Sequence, residues 1–208
     1  ITFTSTIDAA AGATALTLDA GTGTVTTGGT VGGTSGIGTF TVTAASQVDL
    51  AAIEDAATIV VTASNIDLNA GTYTASSGGI TLNGPVDLAA DATVTAAGDL
   101  AFGGSIDADD ASAHDRTLTL DAGTTGTVGV AGALGRPEPL AGLTLTQSNG
   151  ATFSGAVTVT DGNGILTLSD TADGQLIDFR GAVHATTLTT TADGQLIDFR
   201  GADRKSVV

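Results

Sequence analysis

TADGQLIDFRGA occupies residues 171–182 and returns unchanged at 191–202, an offset of twenty. A return at fixed distance restricts a chain to architectures whose successive copies sit in equivalent places. Within the repeat, QLIDFR (175–180) alternates apolar and charged residues. Side chains along a strand point to opposite faces in turn, so Ile177 and Phe179 share one face and Asp178 and Arg180 the other. Turning the apolar pair inward and adding twenty residues places Ile197 over Ile177 and Phe199 over Phe179. Stacking like on like is how a coiled β-structure fills its interior.

The same alternation recurs less regularly. LTLD at 16–19, FTV at 40–42, IDLN at 66–69, ITLN at 80–83, VDLA at 86–89, LTLD at 118–121, LTLT at 143–146, VTVT at 157–160 and LTLS at 166–169 all carry it. Turn signals such as AGTG (20–23), SSGG (76–79), NGP (83–85) and DGNG (161–164) follow these runs. The runs are too short and too often broken by Gly for amphipathic helices. AASQVDLAAIEDAA (44–57) is the exception and admits a short helix. An isolated set of hairpins with so few large residues buries too little surface, whereas stacked coils cover one another. The fold expected is therefore all-β: a right-handed parallel β-helix of roughly ten irregular rungs over 1–202. At ~4.8 Å per rung that is a rod on the order of 50 Å long. A Greek-key sandwich is the competing architecture. Inserts at 105–116 and 132–142 are expected to be loops leaving a rung, where function tends to sit in a solenoid.

Composition agrees with narrow strands and tight turns. There are 38 Thr and 30 Gly, one Tyr, six Phe and no Trp, so bulky aromatics cannot build the core. The formal net charge is −16, which argues against nucleic acid and an anionic membrane and leaves cations as partners. Without Cys, disulfides and thiolate metal sites are excluded. No stretch reads as a signal peptide or membrane span. The absence of Met predicts a fragment or processed piece of a longer chain. The last residues, DRKSVV (203–208), break the pattern and resemble a translated sequencing adapter, with a genuine basic tail as the alternative. The verbatim repeat is open to the same two origins, recent duplication or assembly error.

ALTLDAGTGTVTTGGTVGG (15–33) and TLTLDAGTTGTVGVAGALG (117–135) resemble the repeats of very large bacterial exoproteins of the filamentous-haemagglutinin and autotransporter-adhesin kind. The resemblance covers most of 1–202. It implies a secreted, extracellular β-helical shaft at the bacterial cell surface, without catalysis, with host-surface or matrix glycans and proteins as partners.

Two other classes stay open. Thr-x-Thr recurs at 24–26, 39–41, 41–43, 72–74, 93–95, 117–119, 144–146 and 158–160, the raw material of an ice-binding solenoid. That function requires aligned threonines, and the uneven spacing argues against alignment. A β-helical polysaccharide lyase or hydrolase requires two carboxylates across a cleft. Asp109 and Asp110 beside Arg116 are the densest grouping that would serve it. Asp107, Asp109, Asp110 and Asp115 are also the candidate Ca²⁺ ligands, because Ca²⁺ takes six to eight hard oxygens. They lack the Gly and Glu of an EF-hand, and a solvated acidic loop is the competing reading. His114 and His184 have no sequence partners and read as surface residues. Asp67, Asp87 and Asp121 alternate with apolar residues, as plain outward strand positions do. No catalytic residue and no cofactor is expected.

Overall fold

The computed structural model describes residues 1–10, 14–109, 116–171, 174–191 and 196–201. The tail 203–208 lies outside them, as do Asp110, His114 and Asp115. The described residues form a parallel β-solenoid of about eight turns without a helix. Every strand pair is parallel, as stacking of successive coils requires.

Three faces run along the rod. Face A begins with a six-stranded sheet from Thr2–Phe3 to Ile106–Ala108 and resumes as a pair, Val157–Val159 with Val183–Ala185. Leu134 bridges the interval by pairing with both Ile106 and Val157. Face B stacks Thr72–Ala75, Ala92–Ala96, Thr117–Asp121, Gly142–Ser148, Ile165–Thr171 and Thr187–Thr190. Face C runs from Leu16–Asp19 through Ile80–Asn83 to Leu196–Phe199. The strand Ile53–Thr62 turns the corner from B to C, pairing Ile53 with Tyr73 and Ile59 with Ile80.

Alternation on each strand sends one column of side chains inward per position. On face A the column is Val25, Val48, Ile66, Val86 and Ile106, all fully buried. On face B it is Ile53, Tyr73, Val94, Leu120, Leu145 and Leu168. Each such side chain is worth roughly 1.5–3 kcal/mol of burial, so many small residues replace a few large aromatics. The single Tyr keeps a polar partner: its hydroxyl donates to the Leu50 carbonyl at 3.0 Å and accepts from Ala70 N–H at 3.1 Å. Burial pushes the Tyr73 phenol up to about 12.

On face C the expected stack of the repeat is present. Ile177 pairs with Ile197 and Phe179 with Phe199, and the two rings lie 5.0 Å apart and 8° from parallel. Phe153 continues that stack below Phe179 at 4.8 Å. On the outer side Asp178 lies over Asp198, and arginines separate them. Arg180 Nε donates to Asp178 Oδ2 at 2.8 Å, and Arg200 Nε donates to Asp198 Oδ2 at 2.8 Å. Arg200 Nε also lies 2.9 Å from Asp178 Oδ1. That oxygen has no aligned hydrogen bond, so the inter-coil contact is an ion pair.

A glycine follows the face C strand in six coils, at Gly84, Gly104, Gly132, Gly155, Gly181 and Gly201, and the first five lead on to face A. A Cβ on Gly104 would strike the Gly84 carbonyl, and the clash repeats at each later member against the one before. Backbone approaches backbone too closely there for any side chain.

Stacked partners are separated by as few as 18 residues (Val48 to Ile66) and as many as 28 (Leu100 to Val128), and the about eight turns that result are close to the roughly ten irregular rungs expected. The rod is correspondingly nearer ~40 Å. Two expectations need revising, those for residues 44–57 and 132–142. The Ala-rich segment 44–57 is strand and corner, not helix, because Val48, Leu50, Ile53 and Ala56 each turn into the core. The loop expected at 132–142 contains two rung contacts, Leu134 and Leu140, both fully buried.

Candidate functional site

The outward positions of the three faces differ in kind. On face A, Asp49, Asp67, Asp87 and Asp107 stand in direct register, one per coil. Each occupies the middle of a strand whose neighbours point inward: VDL, IDL, VDL and IDA. The backbone thus holds four carboxylates in a line at the ~4.8 Å strand spacing. Amide and hydroxyl donors relieve part of the repulsion. Thr26 Oγ1 donates to Asp49 Oδ2 and Gln47 Nε2 to Asp49 Oδ1, both at 3.0 Å. Asn65 Nδ2 bridges two coils, donating to Asp67 Oδ1 at 2.8 Å and Asp87 Oδ2 at 3.0 Å. Arg136 N–H donates to Asp107 Oδ1.

These donors do not cancel the cost of confinement. Burial raises the Asp67 carboxyl above its ordinary value, and the charges of Asp49 and Asp87 raise it further. Burial also raises Asp107, with Asp87 and Glu138 adding to it. An open groove of about 690 Å³ runs along the column, walled by Asp67, Asp87, Asp107, Asp109, Pro137 and Glu138. Such a line attracts cations and repels anions.

Face B carries a second column. Thr72, Thr93, Thr119, Thr144, Thr167 and Thr189 are in continuous register through six coils. This overturns the expectation that uneven spacing prevents alignment. The extra residues of long coils leave at corners, loops and a bulge after Leu120, and the threonine register is kept. The column is one threonine wide. On one side Thr74 and Thr95 give way to Asp121 and Gln147, and on the other Thr117 is followed by Gly142 and Ile165.

Of the candidate Ca²⁺ set, Asp107 belongs to the face A column and is almost fully buried. Asp109 is held by Arg116, whose Nε and Nη2 donate to its two carboxylate oxygens at 2.9 and 3.0 Å. A guanidinium on both oxygens competes with any cation for that ligand. Asp110 and Asp115 lie outside the described residues, so the set is not seen together. The same holds for the lyase grouping: Asp109 and Arg116 are joined, and Asp110 is outside. Among the described residues no group of three His, Cys, Asp or Glu side chains is placed to hold a metal ion. His184 sits outward on face A over Thr158, and Asp121 Oδ1 accepts from Gly123 N–H at 2.9 Å.

Asp67 and Asp87, which read in sequence as plain outward positions, belong with Asp49 and Asp107 to one column. A signal was present: an Asp between two apolar residues at 49, 67, 87 and 107, close to the coil length. Compared with family models, curated proteins and solved structures, the chain matches none.

Proposed function

We propose that this chain is a shaft segment of a secreted bacterial surface protein of the adhesin kind, structural and interactive rather than catalytic. The observation that carries the reading is the parallel stacking of coil on coil through about eight turns. A rod built this way sets loops and distal parts at a fixed distance from their anchor. Its outward columns repeat one chemistry per coil, which suits weak contacts multiplied along a surface over one tight pocket. The net charge of −16 supports a hydrated exterior that resists self-association. Retention of beads coated with the chain on host-matrix glycans and proteins tests it. Dense coating is expected to give retention that the soluble monomer does not compete away at micromolar concentration. A monomer that binds one soluble glycan tightly, or that cleaves acidic polysaccharide, would sink the reading.

The threonine column favours a second reading, binding to ice. Six hydroxyl and methyl pairs at a regular spacing on one face are what an ordered water lattice would contact. Thermal hysteresis in solution, abolished by Thr119→Lys and Thr144→Lys, would put this reading in place of the shaft. Freezing behaviour no different from that of an inert protein at equal concentration would remove it.

A further inference from the structure

We propose that the recess on face B between Thr117 and Ile165 is a binding trough for a linear, uncharged, β-1,4-linked oligosaccharide. The proposal rests on the adhesin reading and supplies its partner class.

The recess exists because successive coils turn from face A to face B through corners of unequal length. Leu140 is followed at once by Ala141 and Gly142, whereas Val159, its partner one coil on, is followed by Thr160–Gly164 before Ile165 is reached. Gly162 and Asn163 of the longer corner wall the recess on that side, and Thr117 and Thr119 wall it on the other. The longer corner is fixed in place. Gly162 and Gly164 take positive φ of 51° and 56°, and Gly164 N–H donates to the Asp161 carbonyl at 2.8 Å. The Gly164 carbonyl in turn accepts from Thr186 and Thr187 N–H at 3.0 and 3.1 Å. Gly142 keeps the floor at main-chain level, since a Cβ there would press on Thr117 Cγ2 at 3.2 Å. The open volume is about 610 Å³ and crosses three coils.

The polar groups that line it are turned outward. Among the described residues the hydroxyls of Thr117, Thr119, Thr144 and Thr167 and the Asn163 amide make no hydrogen bond to the protein. Elsewhere on the rod Thr26, Thr43, Thr125, Thr127 and Thr191 donate theirs to carboxylates or carbonyls. A threonine hydroxyl both donates and accepts, and an amide presents both kinds of atom. Beside them Ile165 is 37% exposed, an apolar platform on an otherwise polar surface.

The charge of the trough selects the class of ligand. None of its lining residues is ionisable, in a chain of net charge −16. An anion would meet the field of the rod with no cation to receive it, and a cation is drawn to face A instead. An uncharged ligand rich in hydroxyls, with a C–H face to lie on Ile165, is a pyranose. Coils ~4.8 Å apart are close to the length of one sugar in an extended chain, and a β-1,4 linkage keeps that chain straight. Without an aromatic platform each contact is weak, which suits contacts multiplied along a surface.

Titration of the isotope-labelled full chain with cellotetraose and β-1,4-mannotetraose, followed by amide shifts, tests the proposal. Saturable shifts are expected at Thr117, Gly142, Thr144, Asn163 and Ile165, with a dissociation constant in the millimolar range. Thr144→Val keeps the strand and its shape while removing one hydroxyl, and should weaken binding about five-fold. Thr144→Arg fills the trough and should abolish binding, whereas Thr74→Val, outside it, should change nothing. No shift from either sugar at tens of millimolar, shifts centred elsewhere, equal binding of anionic tetragalacturonate, or full binding by Thr144→Arg would overturn the proposal. Coated beads separate it from the reading beneath. Retention on matrix that neither Thr144→Arg nor mannotetraose disturbs would remove the trough and leave the adhesin. Saturable binding by a chain whose beads are not retained would keep the trough and remove the adhesin.

Discussion

Face A and the last two coils solve the same electrostatic problem differently. Both stack carboxylate on carboxylate at successive rungs: Asp49, Asp67, Asp87 and Asp107 in one, Asp178 and Asp198 in the other. In the last coils a guanidinium accompanies each carboxylate, and Arg200 touches both. On face A the donors are neutral amides, a hydroxyl and a backbone N–H. Asp67 and Asp107 there are shifted upward, by burial first and by neighbouring charge second. A stack of like charges is tolerated with either kind of donor. Only the interleaved cation turns the stack into a contact between coils.

The largest expected effect breaks the last coils at their shared core. Phe179 is fully buried between Phe153 and Phe199, so Phe179→Ala should cost about 3–5 kcal/mol. Denaturant unfolding should show it, with hydrogen exchange accelerated in Leu176–Phe179 and Leu196–Phe199 before the six-stranded sheet of face A responds. Removing the cations is the next test. Arg180→Gln with Arg200→Gln strands an Asp178 side chain that is 4% exposed. The loss expected is about 1–2 kcal/mol, discounted because both guanidiniums are half exposed.

pH acts on face A with a definite sign. A carboxyl whose folded value is raised contributes stability that is fully present below its unfolded value and is lost as pH rises through the folded one. Asp67 and Asp107 therefore predict a melting temperature that climbs as pH falls from 7 toward 4. Asp67→Asn with Asp107→Asn should flatten that climb. Asp8 and Asp99 act oppositely. Backbone N–H groups of Thr34 and Ser35 lower Asp8, and those of Thr127 with its hydroxyl lower Asp99. Their contribution is present above the unfolded value and disappears as pH falls through the lowered folded values, so stability should turn down again at more acid pH. The smallest effect sharpens the contrast: Asp87→Asn removes one member of the unpaired line and should stabilise by about 0.5 kcal/mol at pH 7. Equal effects of Asp87→Asn and Asp198→Asn would erase the distinction between the regions.

Period-two alternation and the twenty-residue offset made the solenoid and the Phe179–Phe199 stack readable before any coordinates. Alternation distinguishes inside from outside, but it does not tell which of three faces an outward residue joins. That is why Asp67 and Asp87 read as scattered surface charges, and why uneven spacing argues in sequence against alignment of Thr119 with Thr144. The missing ruler was the corner. An apolar residue, any residue and then glycine recurs at Leu82–Gly84, Phe102–Gly104, Val130–Gly132, Phe153–Gly155, Phe179–Gly181 and Phe199–Gly201. Counting from those glycines recovers the face A column at Asp87 and Asp107 directly, because each Asp sits three residues on. The segment around Leu134 and Leu140 stayed hidden because it touches the rod through isolated bridges and not through a strand.

That glycine corner divides the coil into parts with different freedom to vary. Outward positions can exchange Thr, Asp or Arg with little effect on the backbone, and loop lengths can drift, since neither alters how one turn meets the next. The corner hydrogen cannot be replaced by a methyl group without forcing two backbones apart. Variation should therefore run around the circumference and along the loops, with one fixed seam from Gly84 onward.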